Sequence, residues 1–237
     1  MSEPTPGRPR DELRPIAMEL GFTESTPGSV LISLGKTKVL CTAAVEADVP
    51  RWMKDSGQGW VTAEYAMLPG SSTERVRRDH VSGGRAQEIS RLIGRSLRAV
   101  VDLKALGEAM ARVDCDVIEA DGGTRTAAIT GSWVALHQAF DDGVARGAIA
   151  RNPLIDEVAA ISVGIVEGEA TLDLDYERDS TAEVDMNVVM SGRGLLIEVQ
   201  GTAERAPFTR RELDVLLDLA AKGIVELHEL QREAVAG

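Results

Sequence analysis

Residues 29–35 and 38–46 alternate apolar with polar positions on either side of Gly35-Lys36, which predicts two strands joined in a hairpin. Another strand is predicted over 60–67. The polar stretch 68–83 then reads as a long loop, and loops of that length usually carry function or lack order. From 84 to 102, Ile89, Leu92, Ile93, Leu97, Val100 and Val101 recur at three- and four-residue steps, the mark of an amphipathic helix. Residues 113–117 alternate again and lead straight into Asp121-Gly122-Gly123-Thr124-Arg125-Thr126, followed by an alanine-rich helix from 127 to about 146. Beyond Pro153 the pattern becomes a meander, with strands over 158–166, 170–176, 184–190 and 195–202 and turns at Gly168-Glu169 and Gly192-Arg193-Gly194. The last helix opens at Thr209-Arg210-Arg211-Glu212, which has capping-box spacing. It places Leu213, Leu216, Leu217, Ala220, Ile224 and Leu227 on one face. Each half is therefore a set of strands with helices packed on it, a duplicated α+β unit within one compact domain over 12–237. A flexible tail over 1–11, rich in Pro, Gly, Arg and acids, is expected to precede it.

With 237 residues, 43% of them apolar, the chain has material for one sizeable core. No apolar run approaches the length of a membrane span and the N-terminus lacks a hydrophobic signal core, which points to the cytoplasm. Cys41 and Cys115 sit in apolar strand-like runs with no CxxC spacing or nearby His, so buried, reduced thiols are expected. The net charge of −12 argues against indiscriminate nucleic-acid binding, but the charge is uneven. Between 70 and 100, Arg75, Arg77, Arg78, Arg85, Arg91, Arg95 and Arg98 meet only Glu74, Asp79 and Glu88, whereas the chain after 152 is strongly acidic. A confined polyanion track would look like this. A GC-rich coding bias toward Arg accounts equally well for the scattered arginines, and less well for the tight group Arg75, Arg77 and Arg78.

The richest chemistry lies in the glycine loop. Glycines let backbone approach a ligand closely, and a helix start offers unpaired N–H groups at the positive end of its dipole. Arg125 adds a planar donor fork suited to phosphate. The loop reads as an anion seat, and not as a Walker A loop, because no Gly-Lys-Ser/Thr follows. Gly83-Gly84-Arg85 repeats the arrangement at a second helix start. On the predicted strand 170–176, Leu172, Leu174 and Tyr176 share one face, leaving Asp173 and Asp175 on the other, toward solvent. Asp179 in the following connection and Asp185 at the next strand can meet at one sheet end. Such a pair suits Mg²⁺, or one member can stay protonated as a general acid; an acidic hairpin loop without function is the plain alternative. Two arginine-bearing helix starts, an acidic pair and an arginine-rich loop together suit chemistry on a phosphate chain, with no protein nucleophile required. His80, His137 and His228 have neither triad partners nor ligand spacing, and Trp52, Trp60 and Trp133 are expected in the core or an interface.

Five dispersed segments carry a resemblance to a known family. They are Thr37-Lys38-Val39-Leu40-Cys41-Thr42-Ala43, Gly59-Trp60-Val61-Thr62-Ala63-Glu64-Tyr65, Ala120-Asp121-Gly122-Gly123-Thr124-Arg125-Thr126, Glu183-Val184-Asp185-Met186-Asn187-Val188-Val189 and Glu198-Val199-Gln200-Gly201-Thr202. With Leu13-Arg14-Pro15 and the last helix, the chain resembles the ribonuclease PH family over nearly its whole length. The resemblance implies a single α+β domain of two βαβα-like halves, of the ribosomal protein S5 domain 2-like type, with mixed sheets and packed helices. It implies a phosphorolytic 3′→5′ exoribonuclease, a tRNA nucleotidyltransferase that trims tRNA precursors and other RNA and assembles as a homohexamer, a trimer of dimers. It further implies that Arg85, Gly123, Thr124 and Arg125 bind inorganic phosphate as co-substrate. Asp179 and Asp185 would be catalytic and hold Mg²⁺, and Arg75, Arg77 and Arg78 would hold RNA. The chain departs from the family at Gly70, where arginine is common, and its loop is somewhat shorter. The competing reading is a non-catalytic RNA-binding ring subunit, against which both arginine loops and both aspartates speak.

Overall fold

The hairpin around Gly35-Lys36 is present: β2 (Gly28–Leu34) pairs antiparallel with β3 (Thr37–Glu46), Leu34 opposite Thr37. The computed structural model describes residues 7–77, 83–205 and 207–236. A short strand that the sequence pattern did not predict, β1 (Ile16–Leu20), adds to the outer side of β2. β4 (Trp60–Met67) and β5 (Met110–Glu119) are parallel and joined through α1 (Gly84–Arg98), giving the sheet order β1-β2-β3-β5-β4. The expected helix over 84–102 stops at Arg98. Val101 instead bridges to Leu154, and the Asp102 carboxylate caps a single turn, α2 (Leu103–Leu106), accepting from the N–H groups of Lys104 and Ala105.

α3 (Thr124–Ala145) is apolar nearly all round because it lies against β2, β3 and β5 on one side and touches β6 (Val158–Val166) and α5 (Arg210–Ala236) on the other. The second sheet has the order β7-β6-β8-β9, with β7 (Glu169–Leu172), β8 (Val184–Ser191) and β9 (Leu196–Ala203). Every pairing in it is antiparallel, so only the first sheet is mixed. α5 begins with the expected capping box: the Thr209 N–H donates to a Glu212 carboxylate oxygen (2.6 Å), and the Glu212 N–H donates to the Thr209 hydroxyl (3.2 Å). One continuous hydrophobic core runs from Val30 and Ile32 through Ile129 and Leu136 to Ile161, Val188 and Leu227, so both halves fold on a shared interior. Cys41 and Cys115 face each other in the β3–β5 register as buried free thiols. Trp133 is buried, whereas Trp52 is 68% exposed and packs edge-on against Trp60.

The acidic segment departs from expectation. The strand predicted over 170–176 ends at Leu172; Asp173 turns to φ +55°, Asp175 caps α4 (Tyr176–Thr181), and the alternation breaks. Asp173 and Asp175 are consequently buried and Tyr176 is exposed, the reverse of the predicted faces. Near the N-terminus, Arg8 donates to the carbonyls of Leu172 and Asp173, and the Leu172 N–H donates to the Arg10 carbonyl.

Candidate active site

β5 delivers the chain into the glycine loop, where Gly122 (φ +75°) and Gly123 (φ +67°) both take the left-handed conformation that glycine adopts without strain. Gly122 also lies hard against the acidic segment, since an added Cβ would come within 2.5 Å of the Leu174 carbonyl oxygen. The buried Thr37 hydroxyl fastens the loop, accepting from the Asp121 N–H (2.8 Å) and donating to the Gly122 carbonyl (2.7 Å). Arg14 fastens it from the other side. Its guanidinium donates to both Asp173 oxygens (2.9 and 2.7 Å) and to the Asp121 carbonyl (2.5 Å), with only 3% of the residue exposed. Burial by itself would lower the Arg14 pKa, but the Asp173 hydrogen bonds prevail and hold it above the ordinary arginine range. A buried, doubly bonded ion pair thus joins the glycine loop to the acidic segment. Neither Arg14 nor Asp173 carries a local signal for this role, because their contact spans 159 positions of chain.

Between these two segments lies a cavity of about 280 Å³. Its lining brings together Arg85 from the first turn of α1, Gly123, Thr124 and Arg125 from the start of α3, Asp179 from α4, and Asp185 and Asn187 from β8. Six residues singled out in the sequence thus meet in one place. Arg75 and Arg77 line an adjoining cavity of about 460 Å³ that shares Met67, Ser72 and Arg85 with the first. Arg78 and His80 lie outside the described residues. His137 pairs with Asp141 and His228 is buried against Gln231; neither lines the cavity.

Local contacts orient the lining. The Thr124 hydroxyl meets the Tyr65 hydroxyl at 2.8 Å, and burial pushes the tyrosine pKa up. Arg125 donates through Nη1 to the Gln200 side-chain carbonyl (3.0 Å) and lies 3.6 Å from Glu88. Burial raises the pKa of Asp179, with Arg85 and Arg125 pulling it back. Burial and the neighbouring charge of Asp179 raise Asp185 further, to about 6, again against the pull of Arg125 and Arg85. Two cations and two reluctant anions therefore share one compartment. Among the described residues no group of three or more His, Cys, Asp and Glu is arranged around a metal position. Asp179, Asp185 and Asn187 nevertheless present hard oxygen donors, and a divalent cation would relieve the carboxylate repulsion. That set fits Mg²⁺, which keeps several waters beside one or two carboxylates.

Comparison with known proteins shows the family. Residues 12–140 match the model of the 3′ exoribonuclease family, domain 1, and residues 156–223 match its domain 2. Ribonuclease PH of Methylobacterium radiotolerans is 56% identical over 232 residues, covering 97% of this chain and 98% of that protein. Ribonuclease PH of Corynebacterium kroppenstedtii is 54% identical over 233 residues, covering 97% and 92%. Among solved structures, an Archaeoglobus fulgidus exosome with RNA bound to the active site superposes with a TM-score of 0.81 at 20% identity, over 96% of this chain and 92% of that one. Rice (Oryza sativa) Rrp46 gives 0.77 at 18% identity, over 95% and 97%. These two share the fold. Identity above one half along almost the full length, joined to a family match across both halves, settles membership: the chain belongs to the ribonuclease PH family of 3′ exoribonucleases.

Proposed function

We propose that this protein is a phosphorolytic 3′→5′ exoribonuclease that removes nucleotides from the 3′ ends of tRNA precursors and other RNA. The observation that carries the reading is the single cavity in which Arg85, Thr124 and Arg125 face Asp179 and Asp185. Family membership supports an enzyme over a non-catalytic ring subunit.

Inorganic phosphate occupies the seat made by the α3 start, the glycine loop and the two arginines, where N–H groups and guanidinium forks match its oxygens. A phosphate oxygen attacks the terminal phosphorus, the bond to the 3′-oxygen of the preceding nucleotide breaks, and a nucleoside diphosphate leaves. The shortened RNA keeps a 3′-hydroxyl, so a proton must reach that oxygen. Of the two roles open to the acidic pair, a carboxyl kept protonated can supply it, and burial beside Asp179, which pushes Asp185 up to about 6 with no metal bound, favours Asp185 for that role. Alternatively, Asp179 and Asp185 would together hold Mg²⁺, which would supply neutralisation of charge on the transferring phosphoryl group. Arg75, Arg77 and Arg78 hold the RNA upstream of the reacting end. A homohexamer, built as a trimer of dimers, would gather several such loops around one opening, and closed symmetry is the usual state of homo-oligomers. The cytoplasm is the expected compartment; two buried free thiols suit it, and no described helix is long and apolar enough to cross a membrane.

The test is incubation of a short 3′-tailed RNA with the protein and Mg²⁺, with and without phosphate. Nucleoside diphosphates should form only with phosphate. Equal release of monophosphates without it would mean hydrolysis, and no release at all would favour the ring-subunit reading.

A further inference from the structure

Gln200 belongs to a motif that the proposed reaction leaves unused. It lies on β9 opposite Asn187, outside the cavity lining, and among the described residues its side chain bonds to charged neighbours. Its carbonyl oxygen accepts from Arg125 Nη1 at 3.0 Å. Its amide nitrogen donates to Glu88 Oε1 at 3.1 Å and to Glu198 Oε1 at 3.0 Å. Glu198 is itself gripped by Arg95 through contacts of 2.8, 2.9 and 3.1 Å. Glu88 lies three residues after Arg85 on α1, so Gln200 links the helix that carries Arg85 to the helix start that carries Arg125. The two carboxylates decide which way the amide points: only with the nitrogen toward them does the oxygen face Arg125. The contact occupies one end of the guanidinium, at Nη1, while Arg125 still lines the cavity.

We propose that Gln200 is a positioning residue for the phosphate nucleophile, holding the Arg125 fork at the angle at which it receives phosphate and thereby setting phosphate affinity. This rests on the reading that Arg125 binds phosphate. Gln200 touches no reacting atom, so its loss should act on the phosphate requirement and not on the chemical step. The orientation argument adds a sign. Gln200→Glu keeps an acceptor for Arg125, but it replaces the amide donors with a third carboxylate beside Glu88 and Glu198, and it should restore nothing.

The experiment is steady-state phosphorolysis of a short RNA by Gln200→Met, which keeps the volume and removes the hydrogen bonds. KM for phosphate should rise about tenfold, equivalent to ~1.4 kcal/mol, with kcat at saturating phosphate and KM for RNA within about twofold. Gln200→Glu should show at least the same rise. In an Arg125→Ala background, Gln200→Met should add nothing, because the group it positions is gone. Thermal melting checks the fold, and Gln200→Ala replaces Gln200→Met if the latter fails to fold. An unchanged KM for phosphate, a fall confined to kcat, or parallel rises in both KM values would overturn the proposal. If Arg125→Ala itself leaves the phosphate requirement unchanged, the phosphate-site reading fails instead, which separates the two failures.

Discussion

The two walls of the cavity make their shape by opposite means. The glycine loop, 121–125, is built from local preferences: two left-handed glycines, then a helix start that exposes N–H groups, then an arginine. The acidic segment, 173–185, owes its shape to partners elsewhere in the chain. Asp173 is buried because Arg14 meets it, Leu174 is anchored through its N–H on the Ser162 hydroxyl, and Asp175 caps the helix that carries Asp179. A charge whose neighbours are distant in sequence has no local signature, and its burial depends on whether a counter-charge arrives. The comparison teaches that the glycine wall takes its conformation from local backbone preference, with Thr37 and Arg14 fastening it, while the acidic wall owes its burial to an ion pair.

The sharpest way to break this comparison is Asp185→Asn. Turnover should fall by about a thousandfold, within the range of a lost acid or base group, while circular dichroism stays unchanged. Turnover at the wild-type level would reduce the acidic wall to a solvated loop. The same variant carries a pH signature in metal-free buffer. Asp185 has its pKa raised from 3.8 to about 6 in the folded protein, so the folded state keeps a proton that the unfolded chain releases. Its contribution to stability therefore falls as pH rises from about 4 to 6 and stays lower above. Discounting for solvent access to the cavity, Asp185→Asn should be more stable than wild type at pH 7 by ~1–2 kcal/mol and equal to it near pH 3. Chemical denaturation at the two pH values measures this.

Next comes the ion pair. Arg14→Met should cost ~3 kcal/mol of stability, since it leaves the buried Asp173 with only a backbone N–H and the more distant Arg8 facing it. It should also disorder the acidic wall more than the glycine loop, which Thr37 still holds. Hydrogen exchange at 173–179 against 121–125 would read the difference, and equal protection in both segments would sink the contrast. Arg125→Ala should act on the other wall, removing ~1.5–3 kcal/mol of phosphate binding and raising the phosphate requirement while RNA binding is largely kept. Smallest is the loop beyond the cavity. Replacing Arg75 and Arg77 together should weaken tRNA binding and flatten its salt dependence by about one to two log units per log salt. A very short oligonucleotide should still be degraded. Equal loss on short and long substrates would put these arginines in the reaction centre.

Much of the molecule could be read from sequence because its signals are local. The hairpin at Gly35, the strands over 60–67 and 158–166 and the capping box at Thr209 rest on periodicity and on residues within a few positions of each other. The same holds for the glycine loop: its left-handed glycines and the helix start after them follow from local preference wherever the loop packs. Alternation misled at Tyr176 because it assumes that the strand continues, whereas Asp173 adopts φ +55° beside Arg14 and ends it. β1 escaped notice for a related reason: its burial is partial, and it is a strand because the β2 edge offers hydrogen bonds. By itself, then, the sequence determined most of the helices and strands and the glycine turn before α3, since backbone preference and hydrophobic period act over a turn or a hairpin. Only the tertiary structure decided which carboxylates are buried and which side chains meet Arg125, because burial and Coulomb interaction depend on distance in space.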